Sequence, residues 1–288
     1  MLKEHESDHG YVDLHIHSTF SDGTCSIPEL IQIALEKNLR AIAITDHDCV
    51  DGISRADDLG RAHGIEVVPG VELSCEIDGK DIHVLGYLMD IENSGLIGKL
   101  HEMKQARYAR AEKMIENLNR QGVDLRFDTV LKIAGEGAIG RPHIAAAMLK
   151  EELIYSFREA FDKYIGYDSP AYVDKMTLHP RDVFQIILDA GGIPVLAHPG
   201  VTGVDERIPE FSRMGLKGIE AFHSEHPPPV QKYYVEYARR HSLLVTGGSD
   251  FHSSNQTRAE IGFPAVKYEV VQALRKMQST IIGKGSNQ

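Results

Sequence analysis

The chain has 288 residues, 42% of them hydrophobic and 25% charged, with a formal net charge of −11. That length can bury a large core and suits one large domain or one domain with a sizeable insertion. The acidic balance argues against sequence-independent binding of duplex DNA, which needs a basic face, and no apolar run approaches the roughly 18 residues that suggest a membrane span. The stretch Met1–Gly10 is polar and acidic, unlike a signal or transit peptide, so a cytoplasmic location is expected. Cys25, Cys49 and Cys75 lie far apart with no Cys-x-x-Cys pair, and read as free thiols rather than a disulfide framework or thiolate metal site. Fifteen histidines in an acidic chain suit a cluster of divalent ions.

Taken in order, the first predicted element is an apolar strand (Tyr11, Val12, Leu14, Ile16) that carries His15 and His17 and ends in a turn at Asp22-Gly23. Alternation puts His15 and His17 on one side of an extended strand, where both can reach one ion. Ser26-Ile27-Pro28-Glu29 is a helix start with a capping box, and Leu30, Ile33, Ala34 and Leu35 give it an apolar face up to Asn38. A buried strand over Arg40–Thr45 leads into Asp46-His47-Asp48. A helix over Gly52–His63 follows, then a strand through Glu66–Ser74, a turn at Asp78-Gly79 and a return strand over Ile82–Tyr87.

From Asn93 to Thr177 the texture changes. A long helical pattern runs through Leu96, Leu100, Met103, Ala111, Met114, Ile115 and Leu118, and shorter helical segments follow near 128–133, 142–150 and 157–164. Strand–helix alternation then resumes. An amphipathic helix over Arg181–Ala190 stops at Gly191-Gly192, and a strand over Ile193–Ala197 leads into His198-Pro199-Gly200. A helix around Pro209–Met214 precedes a strand over Gly218–Phe222 that ends at His223. A helix over Val230–Arg240 precedes a strand over Leu243–Gly247 that leads to Asp250-Phe251-His252. Such alternation implies a largely parallel sheet, and the strand count favours a closed barrel over an open sheet, which would also lack its glycine-rich nucleotide fingerprint. The barrel is expected over 10–92 and 178–280, with a helical insertion at 93–177 acting as a substrate lid and tails at 1–9 and 281–288.

Successive strand ends supply His15, His17 and Asp22, then Asp46 and His47, Glu72 and His83, His198, His223, and finally Asp250 and His252. Strand C-termini of a parallel barrel open on one face, so these side chains converge. Imidazole and carboxylate without thiolate suit Zn²⁺, Mn²⁺ or Fe²⁺, and the donor set is too large for one ion, so two or three ions with a bridging carboxylate such as Glu72 are expected. Clustered ions of this kind serve phosphoester hydrolysis. Asp46 and Asp48 are expected to orient His47 or cap the next turn. His5, His9, His63, His101, His143, His179, His226 and His241 are read as structural.

The motifs Asp13-Leu14-His15-Ile16-His17-Ser18, Thr45-Asp46-His47-Asp48, Gly70-Val71-Glu72, Ala197-His198-Pro199 and Gly248-Ser249-Asp250-Phe251-His252 resemble, in order and nearly intact, those of the PHP (polymerase and histidinol phosphatase) family. The resemblance implies a distorted seven-stranded (β/α) TIM-like barrel with a trinuclear metal centre and a metal-activated hydroxide as nucleophile. It implies that His15, His17, Glu72 and Asp250 hold one ion, that Glu72, His83 and His198 hold a second, and that Asp22, His47 and His252 hold a third. The insertion motifs Ile139–Ala145, Ala160–Tyr164 and Pro170–Lys175 resemble the bacterial 3′,5′-nucleoside bisphosphate phosphatases, some relatives of which trim RNA from its 5′ end. Arg141 and Lys175 are then expected over the metal face as phosphate-binding cations. Ser18 and His223 are further candidates for phosphate contact, with His223 also a candidate to protonate the leaving oxygen.

The expected function is a metal-dependent phosphoesterase acting on a nucleotide-like substrate. A histidinol-phosphate phosphatase fits the barrel motifs but fits the insertion less well. A metal-dependent amidohydrolase shares the His-x-His strand, but the dense Asp/His set and the lack of an evident metal-bridging lysine weigh against it. A non-catalytic PHP module, of the kind attached to some DNA polymerases, conflicts with the complete ligand set and with the absence of a polymerase region in this sequence.

Overall fold

The computed structural model describes residues 10–135, 137–253 and 259–285. The expected tail 1–9, with His5 and His9, and residues 286–288 lie outside the described residues. The first half of the barrel is β1 (Tyr11–Ile16), α1 (Ile27–Glu36), β2 (Leu39–Ile44), α2 (Ile53–His63), β3 (Glu66–Ile77) and β4 (Lys80–Tyr87). The insertion contributes α3 (Ser94–Arg120), α4 (Phe127–Ala134), α5 (Arg141–Lys150) and α6 (Phe157–Glu159), which runs into a π-helical turn over Ala160–Ile165. The chain then returns through α7 (Pro180–Asp189), β5 (Ile193–Leu196), the short α8 (Pro199–Thr202), α9 (Ile208–Met214), β6 (Gly218–His223), α10 (Pro228–Arg240) and β7 (Leu244–Gly248). A two-residue strand, β8 (Val266–Lys267), and α11 (Glu269–Gly285) complete it. This last helix continues through 281–285, the first residues expected as a tail.

The strands form one eight-stranded sheet in the order β7-β6-β5-β4-β3-β2-β1-β8. Seven are those expected from the sequence; β8 joins them as an antiparallel neighbour of β1. β4 runs antiparallel to both β3 and β5, because the tight turn at Asp78-Gly79 makes a hairpin rather than a helical crossover. The sheet nearly closes where the residues after β7 meet β1: the Asp250 N–H donates to the His15 carbonyl at 2.9 Å, and the His17 N–H donates to the Phe251 carbonyl at 2.9 Å. Gly248 permits this approach, since a Cβ there would lie 2.3 Å from the His15 nitrogen.

Local chemistry explains the elements. Glu29 accepts hydrogen bonds from the Ser26 N–H (2.7 Å) and hydroxyl (2.6 Å), closing the start of α1, whose Ile27, Leu30, Ile31 and Ala34 are buried. Gly64, at φ +77°, ends α2 in the left-handed conformation. Inside the barrel, Val12, Leu14, Ala41, Ala43, Val68, Leu85 and Val195 form one buried cluster. The insertion has a core of its own, including Met114, Leu118, Val130, Ile144 and Met148. It is tied to the barrel by an ion pair between Arg107 and Asp48, and by the Ala138 N–H donating to the Phe20 carbonyl at 3.0 Å. Among the described residues no helix is long and apolar enough to cross a membrane.

Candidate metal centre

Alternation along β1 sends His15 and His17 the same way, and both Nε2 atoms reach the same two carboxylate oxygens. His15 Nε2 lies 3.4 Å from Glu72 Oε2 and 3.2 Å from Asp250 Oδ1; His17 Nε2 lies 3.2 Å from each. Glu72 sits in β3 beyond the end of β2, where a bridge pairs it with His47, and His47 Nδ1 lies 3.0 Å from Glu72 Oε2. The other oxygen, Oε1, faces His83 Nδ1 at 2.9 Å and His198 Nε2 at 3.2 Å. His83 enters from the middle of β4, opposite Ser74 in the register, which is how an antiparallel strand delivers a side chain to the same face. Asp22 lies 3.3 Å from His252 Nε2, 3.8 Å from His17 Nδ1 and 3.9 Å from His47 Nε2.

Three overlapping groups have donor atoms close enough together to hold an ion: His15, His17, Glu72 and Asp250; His47, Glu72 and His83; and His17, Asp22, His47 and His252. His198, expected beside His83, meets the second group through its contact with Glu72. His15 Nε2, His17 Nε2, Asp22 Oδ1, His47 Nδ1 and Glu72 Oε2 are buried yet have no hydrogen-bond partner. Orphaned buried polar atoms are costly, and here they converge on one another, so the residues present fit divalent ions.

The electrostatics agree. Burial raises the Glu72 carboxyl, but His47, His83 and His15 outweigh it and hold it well below its ordinary range. Burial likewise opposes ionisation of Asp22 and Asp250, and the surrounding imidazoles, led by His47 for Asp22 and by His15 for Asp250, hold both well below theirs. On the imidazole side, burial is outweighed by Glu220, Asp250 and Glu72 at His15, which is raised well above its usual value, and by Asp22 and Asp250 at His252, which is raised to about 10. Burial pushes His47 well below its usual value despite the nearby Glu72 and Asp22. The buried carboxylates thus draw protons onto His15 and His252, though not onto His47, and a divalent cation supplies the same compensation.

Above these groups is an open cleft of about 260 Å³ lined by His47, Glu72, His83, His198, His223, Asp250 and His252, with Val201 and Glu225 at its edge. His223 Nε2 lies 3.2 Å from Asp250 Oδ2, while its Nδ1 accepts the Glu225 N–H at 3.1 Å, so the proton of the neutral ring points to Asp250. Lys175 does not line this cleft; it pairs with Asp81 and faces an adjoining small pocket with Arg107, Arg110, Asp48 and Ser74.

Ser18 and Arg141, like Lys175, are not among the residues lining the cleft. Ser18 is not available for phosphate, because it is fully buried and its hydroxyl donates to Asp46 Oδ2 at 2.6 Å. The Arg141 guanidinium lies 4.4 Å from the centroid of the Tyr167 ring, and it donates to the Ile165 carbonyl at 3.5 Å. Asp46 and Asp48 fall outside the three groups, and neither hydrogen-bonds to His47. Asp46 fastens the loop that carries Asp22 by accepting from the Ser18 N–H (2.7 Å) and the Ser21 hydroxyl (2.6 Å). Asp48 accepts from the Ser74 N–H (3.0 Å) and Arg107 Nε (2.7 Å). His143 accepts the Gly140 N–H, and His226 spans the Gly200 N–H and the Ala221 carbonyl, which are structural roles.

Sequence reasoning passed over Glu220, Asp13, Arg107 and Arg110. Glu220 and Asp13 are carboxylates inside apolar strands, the pattern that marks a buried polar role. Asp13 accepts from the Ser249 N–H (2.9 Å) and the Gly262 N–H (2.8 Å), holding the closing edge of the barrel. Arg107 and Arg110 border the apolar stripe of α3, but in a helix so rich in charge nothing set them apart.

Comparison with known proteins gives the same picture. The PHP domain family matches residues 13–182. A 3′,5′-nucleoside bisphosphate phosphatase of Chromobacterium violaceum is 30% identical, over 87% of this chain and 90% of its own. A phosphoribosyl 1,2-cyclic phosphate 1,2-diphosphodiesterase of Eggerthella lenta is 28% identical over 87% and 97%. A 5′-3′ exoribonuclease of Haemophilus influenzae is 30% identical over 83% and 89%. The crystal structure of a candidate metal-dependent phosphoesterase from Bifidobacterium adolescentis superposes with a TM-score of 0.84 at 29% identity, covering 91% of this chain and 94% of that one. Ordered motifs, barrel and converging donors therefore lead to one conclusion: this chain belongs to the PHP domain family.

Proposed function

We propose that this PHP-family hydrolase releases phosphate from a nucleotide-like substrate, with a nucleoside 3′,5′-bisphosphate as the first choice and the 5′ end of a short RNA as the second. The observation that carries the reading is the set of orphaned donor atoms converging beneath an open cleft. His15, His17, Glu72 and Asp250 would hold one ion, Glu72, His83 and His198 a second, and Asp22, His47 and His252 a third, with His17 also within reach of that last group. Manganese, zinc or iron suits such donors, and ions bound there would supply Lewis acidity toward phosphoryl oxygens and acidify water.

The chain's own residues do the rest. Glu72 spans the groups with both oxygens. Arg110, which donates to the Val173 carbonyl, adds positive charge beside the cleft, and Arg107 and Lys175, paired with Asp48 and Asp81, stand next to it where a phosphorylated ligand could compete for them. His223 holds a proton at Nε2, against Asp250 and at the cleft wall, where it orients that carboxylate and can meet a leaving oxygen. The insertion, 93–177, acts as the substrate lid over the barrel formed by 10–92 and 178–280, anchored through Arg107 to Asp48. Nucleotide substrates and three free thiols fit a cytoplasmic enzyme.

A panel on one preparation tests this: nucleoside 3′,5′-bisphosphates, 5′-phosphorylated short RNA, histidinol phosphate and a ribose 1,2-cyclic phosphate, each supplied with Mn²⁺ or Zn²⁺. Fastest phosphate release from the bisphosphate is expected. Preference for the cyclic ester or for histidinol phosphate would overturn the substrate assignment, and no turnover of any member would overturn the enzymatic reading.

A further inference from the structure

We propose that Glu220 is a positioning residue that assembles two of the ion sites as one unit, fixing the proton on His15 with one oxygen and the backbone of His198 with the other. The inference rests on the metal centre proposed above. Glu220 lies in β6, is fully buried, and reaches the centre through an irregularity in the pairing of β6 with β7 between Glu220 and Phe222. Glu220 and His223 are three residues apart and would point to opposite faces of a regular strand; the bulge lets both face the site.

Oε1 of Glu220 lies 2.9 Å from His15 Nδ1, and Oε2 accepts the His198 N–H at 2.8 Å. A carboxylate offers lone pairs only, so Glu220 keeps a proton on His15 Nδ1, and Nε2 is the nitrogen whose lone pair an ion would take. That Nε2 is the orphaned atom 3.4 Å from Glu72 Oε2 and 3.2 Å from Asp250 Oδ1. The second contact explains a different oddity. His198 has φ 26° and ψ 56°, a left-handed backbone that side-chain-bearing residues rarely adopt. The bond to Glu220 holds it there, with His198 Nε2 facing Glu72 Oε1 at 3.2 Å. The two arms that start on Glu220 therefore end on the two oxygens of Glu72, so both ion groups depend on one carboxylate.

Glu220→Gln is the discriminating change, since it preserves shape but offers one acceptor and one donor. If the amide oxygen keeps the His198 N–H, the amide N–H faces His15 Nδ1 and favours the tautomer with the proton on Nε2, where an ion should bind. If the amide turns round, the His198 N–H loses its acceptor. We expect E220Q to bind the first two ions about 10- to 100-fold more weakly than wild type. Glu220→Asp, which keeps two acceptor oxygens, should retain the wild-type proton position. The readouts are metal affinity by titration and ¹⁵N chemical shifts of His15 in Zn²⁺-loaded protein. In the wild type these shifts should show a protonated Nδ1 and a zinc-bound Nε2, a result that needs no variant to fold. The proposal is overturned if wild-type His15 binds zinc through Nδ1, or if E220Q binds zinc with wild-type affinity and an unchanged His15 proton. A wild type that takes up no divalent ion overturns the metal centre itself, a failure distinct from either of these.

Discussion

Arg107 joins the insertion to the barrel, and its removal has a calculable cost. Its guanidinium grips Asp48, whose side chain is only 2% exposed, and Arg107 itself is 19% exposed. Replacing Arg107 with Met keeps the packing of the aliphatic stem but leaves the Asp48 carboxylate with only the Ser74 N–H as a strong partner. Stranding one charge of a buried pair costs about 3–5 kcal/mol, and the partial exposure of Arg107 favours the lower figure. Unfolding entropy of about 2.1 cal/mol/K per residue over 288 residues is about 0.6 kcal/mol/K, so about 3 kcal/mol lowers the melting temperature by about 5 °C. Differential scanning calorimetry in the presence of a chelator reads this without contribution from metal binding. Adding Asp48→Asn should recover most of the loss, because Asn still accepts the Ser74 N–H and carries no stranded charge. A melting point for Arg107→Met within about 1 °C of wild type would refute the reasoning.

His47→Ala removes a donor from two of the three groups, so it should lower metal content and reduce phosphate release by more than the roughly 10- to 100-fold typical of losing an outer partner; full activity would sink the proposed roles. His252 is raised from 6.5 to about 10 in the folded protein, so in metal-free protein its contribution to stability is fully present below about pH 6.5 and is lost as pH rises through about 10. An ion must displace that proton, so affinity for the site of Asp22, His47 and His252 should rise with pH over the same window; isothermal titration showing no pH dependence there would contradict this. Gly248→Ala places a Cβ 2.3 Å from the His15 nitrogen and 2.8 Å from Asp13 Oδ1, backbone and buried groups that cannot swing aside. Its expected result is loss of bound metal even in folded protein, and wild-type metal content would argue against so tight a closure.

Much of the candidate site was legible because strand alternation and ordered motifs constrain it. His15 and His17 share one side at the end of β1, and the other donors follow the ends of their strands except Glu72 and His83, which lie within β3 and β4. What could not be read was the layer behind the donors. Glu220 is turned inward by a bulge, and no residue pattern announces a bulge of that kind. Ser18 looked available beside His17, yet the loop that presents Asp22 needs its hydroxyl for Asp46. Arg141 was placed by motif alone, whereas the contacts of α5 put its charge over an aromatic ring. The cations beside the cleft come largely from α3, where Arg107 and Arg110 are indistinguishable by sequence from the solvent-facing charges around them. The strand β8 is two residues long, too short for alternation to register.

The central claim is that three overlapping donor groups hold ions that this chain needs for phosphate release. It is tested most directly by stripping the protein with a chelator, restoring Mn²⁺, Zn²⁺ or Fe²⁺, and measuring metal content and phosphate release from a nucleoside 3′,5′-bisphosphate on the same sample. Two or three ions per chain, with release lost on stripping and regained on restoration, is the predicted result. Less than one ion per chain, with no release under any of the metals, would contradict it.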